Sequence, residues 1–324
     1  MSLPDWARAH GSPLFAATIR SSPADFDVTE ELGYDFDGAG EHDFLYLEKT
    51  GTNTEWLARQ LAKFAGVAAK DVGYSGLKDR DAITRQWFSV PRWHSADWAS
   101  LDVDGVTVLD VQRHSKKLRR GAHKANHFRI VLRGPEVGSV PIDERLASIS
   151  EQGVPNYFGP QRFGREGANL SLADTWARGK RLPRHKRSIA ISSARSFLFN
   201  EVLHQRVLDG SWNRLLHGDI ANLDGTGSVF SIAEPDQELE LRCRELDIHP
   251  AAQLPGEGSD CRNERWQKAF DKARVKPGSR SLRLRVRDLQ AHDANDGIML
   301  SFALGRGAFA TSVLREIATI STKP

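Results

Sequence analysis

The strongest constraint on the fold is the way hydrophobic spacing changes along the first half of the chain. Residues 26–30 and 44–48 read as short strands, the first alternating with period two. Thr52 and Glu55 then stand at capping-box spacing, hydroxyl first and carboxylate three residues on. Trp56, Leu57, Leu61 and Phe64 follow at helical spacing, and Gly66 is placed to stop the helix. Extended segments resume near 71–75, 84–90, 106–111 and 127–132. Strands interleaved with helices that pack on them predict an α+β fold.

The second half reads differently. Residues 155–167 are rich in Gly, aromatics and Arg, which marks a junction or a functional loop. Residues 193–208 form an amphipathic helix, with Phe197, Leu198, Val202 and Leu203 as its apolar set. After a Pro/Gly-rich stretch at 252–259 come a strand at 298–304 and a helix at 310–318. A terminal strand–helix unit can rejoin the first domain's sheet, which makes the middle an insertion. A chain of 324 residues is long enough for two domains and a substantial core.

Composition excludes several classes. Cys243 and Cys261 are too few and too far apart for a disulfide framework or a zinc knuckle. The first ten residues carry Asp5 and Arg8 and lack an apolar signal region, and no run reaches membrane-span length. The expectation is a cytoplasmic protein away from membranes, with nothing demanding more than a monomer. The net charge of +3 is modest, but it is segregated. Residues 111–135 hold eight Lys or Arg and no acid, and 178–195 are basic again, whereas 219–240 hold six acids and no Lys or Arg. Such segregation gives one face a potential that attracts a polyanion.

Four segments can carry chemistry. The turn Gly73-Tyr74-Ser75-Gly76-Leu77-Lys78-Asp79-Arg80-Asp81 joins two expected strands and sets Asp79 between two cations, which favour the ionised carboxylate. Gly73-Tyr74-Ser75-Gly76 lacks the last glycine of a nucleophile elbow, so Ser75 is not the nucleophile. The segment 117–128 brings Lys117, Arg119, Arg120 and Lys124, suited to phosphates, up to Phe128, a flat face for a base. His123 and His127 have no acid or cysteine near enough in sequence to complete a metal site. The segment 155–165, with Arg162 and Arg165 among three aromatics, is either a packed loop or an RNA-contacting one. Last, Gly305-Arg306-Gly307-Ala308-Phe309 places Phe309 at the mouth of a helix. No P-loop, dinucleotide fingerprint, His-Glu-x-x-His or CxxC is present, so no cofactor and no metal are expected.

In this order, these segments resemble the TruD family of tRNA pseudouridine synthases. The likeness runs through Asp25-Phe26-Asp27-Val28-Thr29-Glu30, Gly40-Glu41-His42, Gly76-Leu77-Lys78-Asp79-Arg80 with Ala82 and Gln86, and Asn126-His127-Phe128. It continues in Pro155-Asn156-Tyr157-Phe158-Gly159, Arg162-Phe163-Gly164 and Ala310-Thr311-Ser312-Val313-Leu314-Arg315-Glu316. The resemblance implies a pseudouridine synthase core over 1–153 and 298–324, an α+β fold of a mixed sheet with flanking helices, with an inserted α/β TRUD domain over 154–297. It implies tRNA as partner, uridine 13 as target, and Asp79 as the catalytic carboxylate. Phe26, Asn126, Phe128 and Phe309 would bind substrate, as would Arg20, standing where relatives commonly carry lysine. Lys78, Lys117, Arg119, Arg120, Lys124, Arg162 and Arg165 are the RNA-contact candidates. One rival shares these features, a non-catalytic RNA-binding protein or tRNA chaperone in which Asp79 is dispensable; an RNA nuclease or other hydrolase is disfavoured by the lack of a His–His or carboxylate–metal cluster in the sequence.

Overall fold

The computed structural model describes residues 3–94 and 96–322. Two compact units divide the chain: one holds 14–142, 287–307 and the residues from 318 onward, the other the residues up to 13, 143–286 and 308–317. No helix among the described residues is long and apolar enough to cross a membrane.

The first unit is built on a 10-stranded mixed sheet. Its main path runs Arg287–Ala294, Gly297–Gly305, His123–Arg133, Phe26–Leu32, Ile83–Pro91, His42–Lys49 and Val106–His114. Phe26–Leu32 with Ile83–Pro91, and Phe15–Ile19 with Ala318–Thr322, are the parallel pairs. The neighbours along the rest of the path are antiparallel. This is the expected α+β class with its mixed sheet, and the strand near 298–304 does rejoin it, against His123–Arg133.

The helix Thr54–Phe64 packs on this sheet with a rotation that the spacing did not anticipate. Leu57 and Leu61 are buried, but Trp56 and Phe64 are exposed, because Ala58 and Ala62 complete the inward stripe instead. That stripe meets Leu45, Leu47, Phe88 and Val90. The N-cap is Asn53 rather than Thr52: Asn53 Oδ1 accepts from the Glu55 and Trp56 N–H groups, while Thr52 Oγ1 donates to Thr50 O. Gly66 follows the helix at φ +68°, where a side chain would be strained.

The second unit carries a 4-stranded antiparallel sheet, Val229–Ser231, Ile220–Leu223, Ile248–Leu254 and Gly278–Ser281. Helices including Ala168–Ala177 and Glu264–Lys272 surround a core of Phe163, Phe199, Trp212, Trp266 and Phe270. Its longest helix, Arg184–Leu208, begins well before residue 193. Its first turns are basic and exposed, so apolar spacing gives no sign of them. Val202, assigned inward, is 46 % exposed. The helix expected over 310–318 ends at Leu314. The β-branched tail then forms the strand Ala318–Thr322, because the edge of Phe15–Ile19 offers it a parallel ladder.

Candidate active site

One face of the large sheet does not keep to apolar alternation, and the Asp79 turn lies there. Strand register sets Phe26, Val28 and Glu30 beside Ile130, Phe128 and Asn126. Across the sheet, Thr84, Gln86 and Phe88 stand beside Lys49, Leu47 and Leu45. Side chains two apart share a face, so Glu30, Lys49, Thr84 and Gln86 point where apolar residues would be expected. All four are buried. Buried polar groups need partners, and the turn between Gly73–Tyr74 and Ile83–Pro91 supplies most of them.

Lys78 turns inward and its ammonium pairs with Glu30, whose side chain is fully buried; Glu30 also accepts from Trp87 N–H at 3.3 Å. The Lys78 N–H donates to Thr54 Oγ1 at 3.0 Å. Thr54 also bonds Gln86 Oε1 at 3.1 Å, and Gln86 Nε2 donates to Gly76 O at 3.2 Å. Lys49 Nζ donates to Thr52 O at 2.7 Å and Asp79 O at 3.0 Å. At the start of the turn Gly73 leaves no room for a side chain, since a Cβ would lie 2.3 Å from Leu118 O. Four elements thus fix the backbone on which Asp79 is carried.

The Asp79 carboxylate is one-third exposed and pairs with Arg20, while its Oδ1 accepts from Asp81 N–H at 3.2 Å. Arg20 has φ +59°, a left-handed backbone that costs a non-glycine residue about 1–2 kcal/mol. Strain of this kind gathers at functional sites. Its guanidinium lies 4.2 Å from the centre of the Phe26 ring. Phe26 meets Phe128 edge to face at 6.4 Å, and Phe128 stacks on Phe302 at 5.3 Å. Asn126 Oδ1, Arg20 Nε and Thr84 Oγ1 are buried and lack a hydrogen-bond partner among the described residues. Asp79, Arg20, Phe26, Phe128 and Asn126 are therefore brought together within one unit. An ionised acid with its cation, beside an aromatic stack and an unused amide oxygen, suits a flat polar ring next to a nucleophile or base.

Phe309 belongs to the other unit, as N-cap of the five-residue helix Ala310–Leu314, and is 38 % exposed. Of the three expected aromatics it is the open one; Phe26 and Phe128 are buried.

The basic candidates divide. Lys78 is engaged with Glu30, and Lys124 pairs with Glu31 at 2.7 Å. Arg120 lies 3.6 Å over the Tyr74 ring. Lys117 Nζ donates to Lys70 O at 2.6 Å, and Arg119 is exposed. In the second unit Arg162 bonds Ser192 at 2.9 Å, near the Phe158 ring, and Arg165 is exposed. The aromatics of that segment pack inward: Tyr157, Phe158 and Phe163 are buried in that unit's core.

His123, 8 % exposed, bonds Ser75 through Nδ1; burial, then the Lys78 and Arg306 charges, lower its pKa to about 4. His127 bonds Glu31 at 2.9 Å.

Sequence reasoning missed Lys49, Glu30 and Thr54 as parts of the site. The available signal was a charged residue on the inward register of a strand: Lys49 follows Leu45 and Leu47 at steps of two, and Glu30 follows Phe26 and Val28.

Known proteins offer close parallels. The family model described as tRNA pseudouridine synthase D (TruD) matches residues 9–173 and 169–317. A protein of Methylococcus capsulatus named tRNA pseudouridine synthase D is 42% identical, covering 97% of this chain and 94% of its own. Its namesake in Nitrosococcus oceani is 43% identical over 94% of this chain and 91% of its own. Among solved structures, a putative tRNA pseudouridine synthase D from Methanosarcina mazei superposes with a TM-score of 0.72 at 20% identity. It covers 97% of this chain and 96% of that one, a likeness that carries the fold.

Proposed function

This chain belongs to the tRNA pseudouridine synthase D (TruD) family, and we propose that it isomerises uridine 13 of tRNA to pseudouridine, using Asp79 as the reacting carboxylate. The observation that supports this most is the anchoring of Asp79: its turn is held by buried groups while its carboxylate stays one-third exposed beside Arg20.

The reaction breaks the C1′–N1 bond, turns the uracil and joins C5 to C1′; C5 loses a proton and N1 ends with one. Nothing is oxidised, reduced or released. A stacked uridine presents neither bond, so the base leaves the helix at a cost of about a few kcal/mol. Aromatic contact with the base returns part of it, a reading supported by the edge-to-face pair of Phe26 and Phe128 beside the Arg20–Asp79 ion pair. Asn126 would accept from a donor on the uracil edge, a role supported by its Oδ1 having no hydrogen-bond partner among the described residues. Asp79 then attacks C1′, or takes a ribose proton to give a glycal; both need an aimed carboxylate, and Arg20 pairs with it. A primary isotope effect from deuterium at C2′ marks the glycal route, and its absence marks direct attack.

The deciding test is pseudouridine mapping of bulk tRNA by carbodiimide stops, in cells with and without this protein. The expected result is loss of the signal at position 13, restored by wild type and not by Asp79→Asn, while purified Asp79→Asn binds tRNA within a few-fold of wild type. An unchanged map would assign the protein to RNA binding without catalysis. Full activity of Asp79→Asn would remove the carboxylate from the reaction.

A further inference from the structure

The Asp79 turn is held from the interior by a charge that the chemistry above does not use. Lys49 ends the His42–Lys49 strand, and no part of it is exposed. Its Nζ donates to two neutral carbonyls, Thr52 O at 2.7 Å and Asp79 O at 3.0 Å. A neutral donor would satisfy both. Burying an ammonium among carbonyls is costly, so its retention here calls for a reason. The charges facing it are those of the turn itself: the Asp79 carboxylate attracts it and Lys78 repels it. Lys78 is in turn neutralised by Glu30, and Asp79 is shared with Arg20. Arg80, also on the turn, is exposed and donates to Gly51 O at 3.1 Å.

We propose that Lys49 is a positioning residue for the reaction: its buried ammonium clamps the Asp79 backbone and keeps the carboxylate aimed at the substrate. The assignment rests on reading Asp79 as the reacting group. Arg20 and Lys49 divide the task. Arg20 meets the carboxylate directly, from the side of the aromatic stack, whereas Lys49 acts on the same residue through its carbonyl. Desolvation lowers the Lys49 pKa to about 8, against the opposing pull of Asp79. The clamp therefore loses its charge within the range an enzyme assay can cover.

The test uses the full chain and an unmodified transcript of a substrate tRNA, with single-turnover rates at saturating protein from pH 6 to pH 9.5. Lys49→Met is expected to lower that rate about a hundredfold, the scale of an ångström-sized misplacement of a reacting group. Its tRNA affinity should stay within twofold. The wild-type rate should fall as pH rises through about 8, and Lys49→Arg, whose guanidinium does not titrate there, should hold its rate on the alkaline side. Ionisation of the uracil is common to all variants and cancels in their ratios. A purely structural lysine would not move the alkaline limb.

A folded Lys49→Met with the wild-type rate overturns the proposal. So do coincident alkaline limbs for wild type and Lys49→Arg, a comparison that decides the matter even if Lys49→Met does not fold. Asp79→Asn separates the two assignments. If it is inactive while Lys49→Met is normal, only the role of Lys49 falls; if it is active, the reading beneath both falls.

Discussion

The ion pair between Lys78 and Glu30 offers a quantitative test of how the Asp79 turn is held. Side-chain exposure is 6 % for Lys78 and zero for Glu30, so neither charge is left to water when its partner is removed. Lys78→Met leaves a buried carboxylate with the Trp87 N–H as its remaining partner, and Glu30→Gln leaves a buried ammonium without a counter-charge. Breaking such a pair from one side costs about 3–5 kcal/mol. The double variant has no buried charge and one poorly satisfied amide, at about 1–3 kcal/mol. The two single changes together should thus exceed the double change by roughly 5 kcal/mol, far outside the ~0.5 kcal/mol within which independent sites add.

Native-state amide exchange along Ile83–Pro91, in the centre of the large sheet, reads the opening of that unit by itself. Each single variant should lower protection there by about two to four orders of magnitude, at a factor of ten per ~1.4 kcal/mol, and the double variant by much less than their product. Additive losses would refute the reasoning, because they would mean that the two charges do not depend on each other for their burial.

Other expectations follow from the same geometry. His123 takes a proton in the folded protein only near pH 4, below its unfolded value of 6.5. Its contribution is therefore complete above pH 6.5 and is lost as pH falls through 4, at most on the order of 3 kcal/mol. Urea unfolding of wild type and His123→Asn should diverge across that window, and parallel curves would contradict the assignment. Neutralising Lys117 and Arg119 together should weaken tRNA binding and lower the salt slope by up to about 1 for each phosphate no longer neutralised. An unchanged slope would place both residues away from the RNA.

The strand at 26–30 was legible from its alternation because one face is packed by neighbouring residues whose spacing records it. The location of the Asp79 turn, between two extended segments, was legible for the same reason. Less was legible where two local solutions compete. Thr52 and Asn53 can both cap a helix, and the choice went to Asn53, whose side chain reaches two orphan N–H groups. The tail 318–322 suits a strand only because an unpaired edge stands beside it.

The site itself shows the same division. Asp79 with its flanking cations could be read from the chain, since that relation is short in sequence, whereas Asn126 beside Phe128 came from the family resemblance. That Lys78 faces inward to Glu30, that Arg20 rather than a neighbour meets the Asp79 carboxylate, and that Lys49 reaches the Asp79 carbonyl were decided by tertiary structure. Periodicity tells which residues share a face, whereas the partner of a buried charge depends on which strands lie side by side and in what register. Here that register joins residues 30 to 59 positions apart.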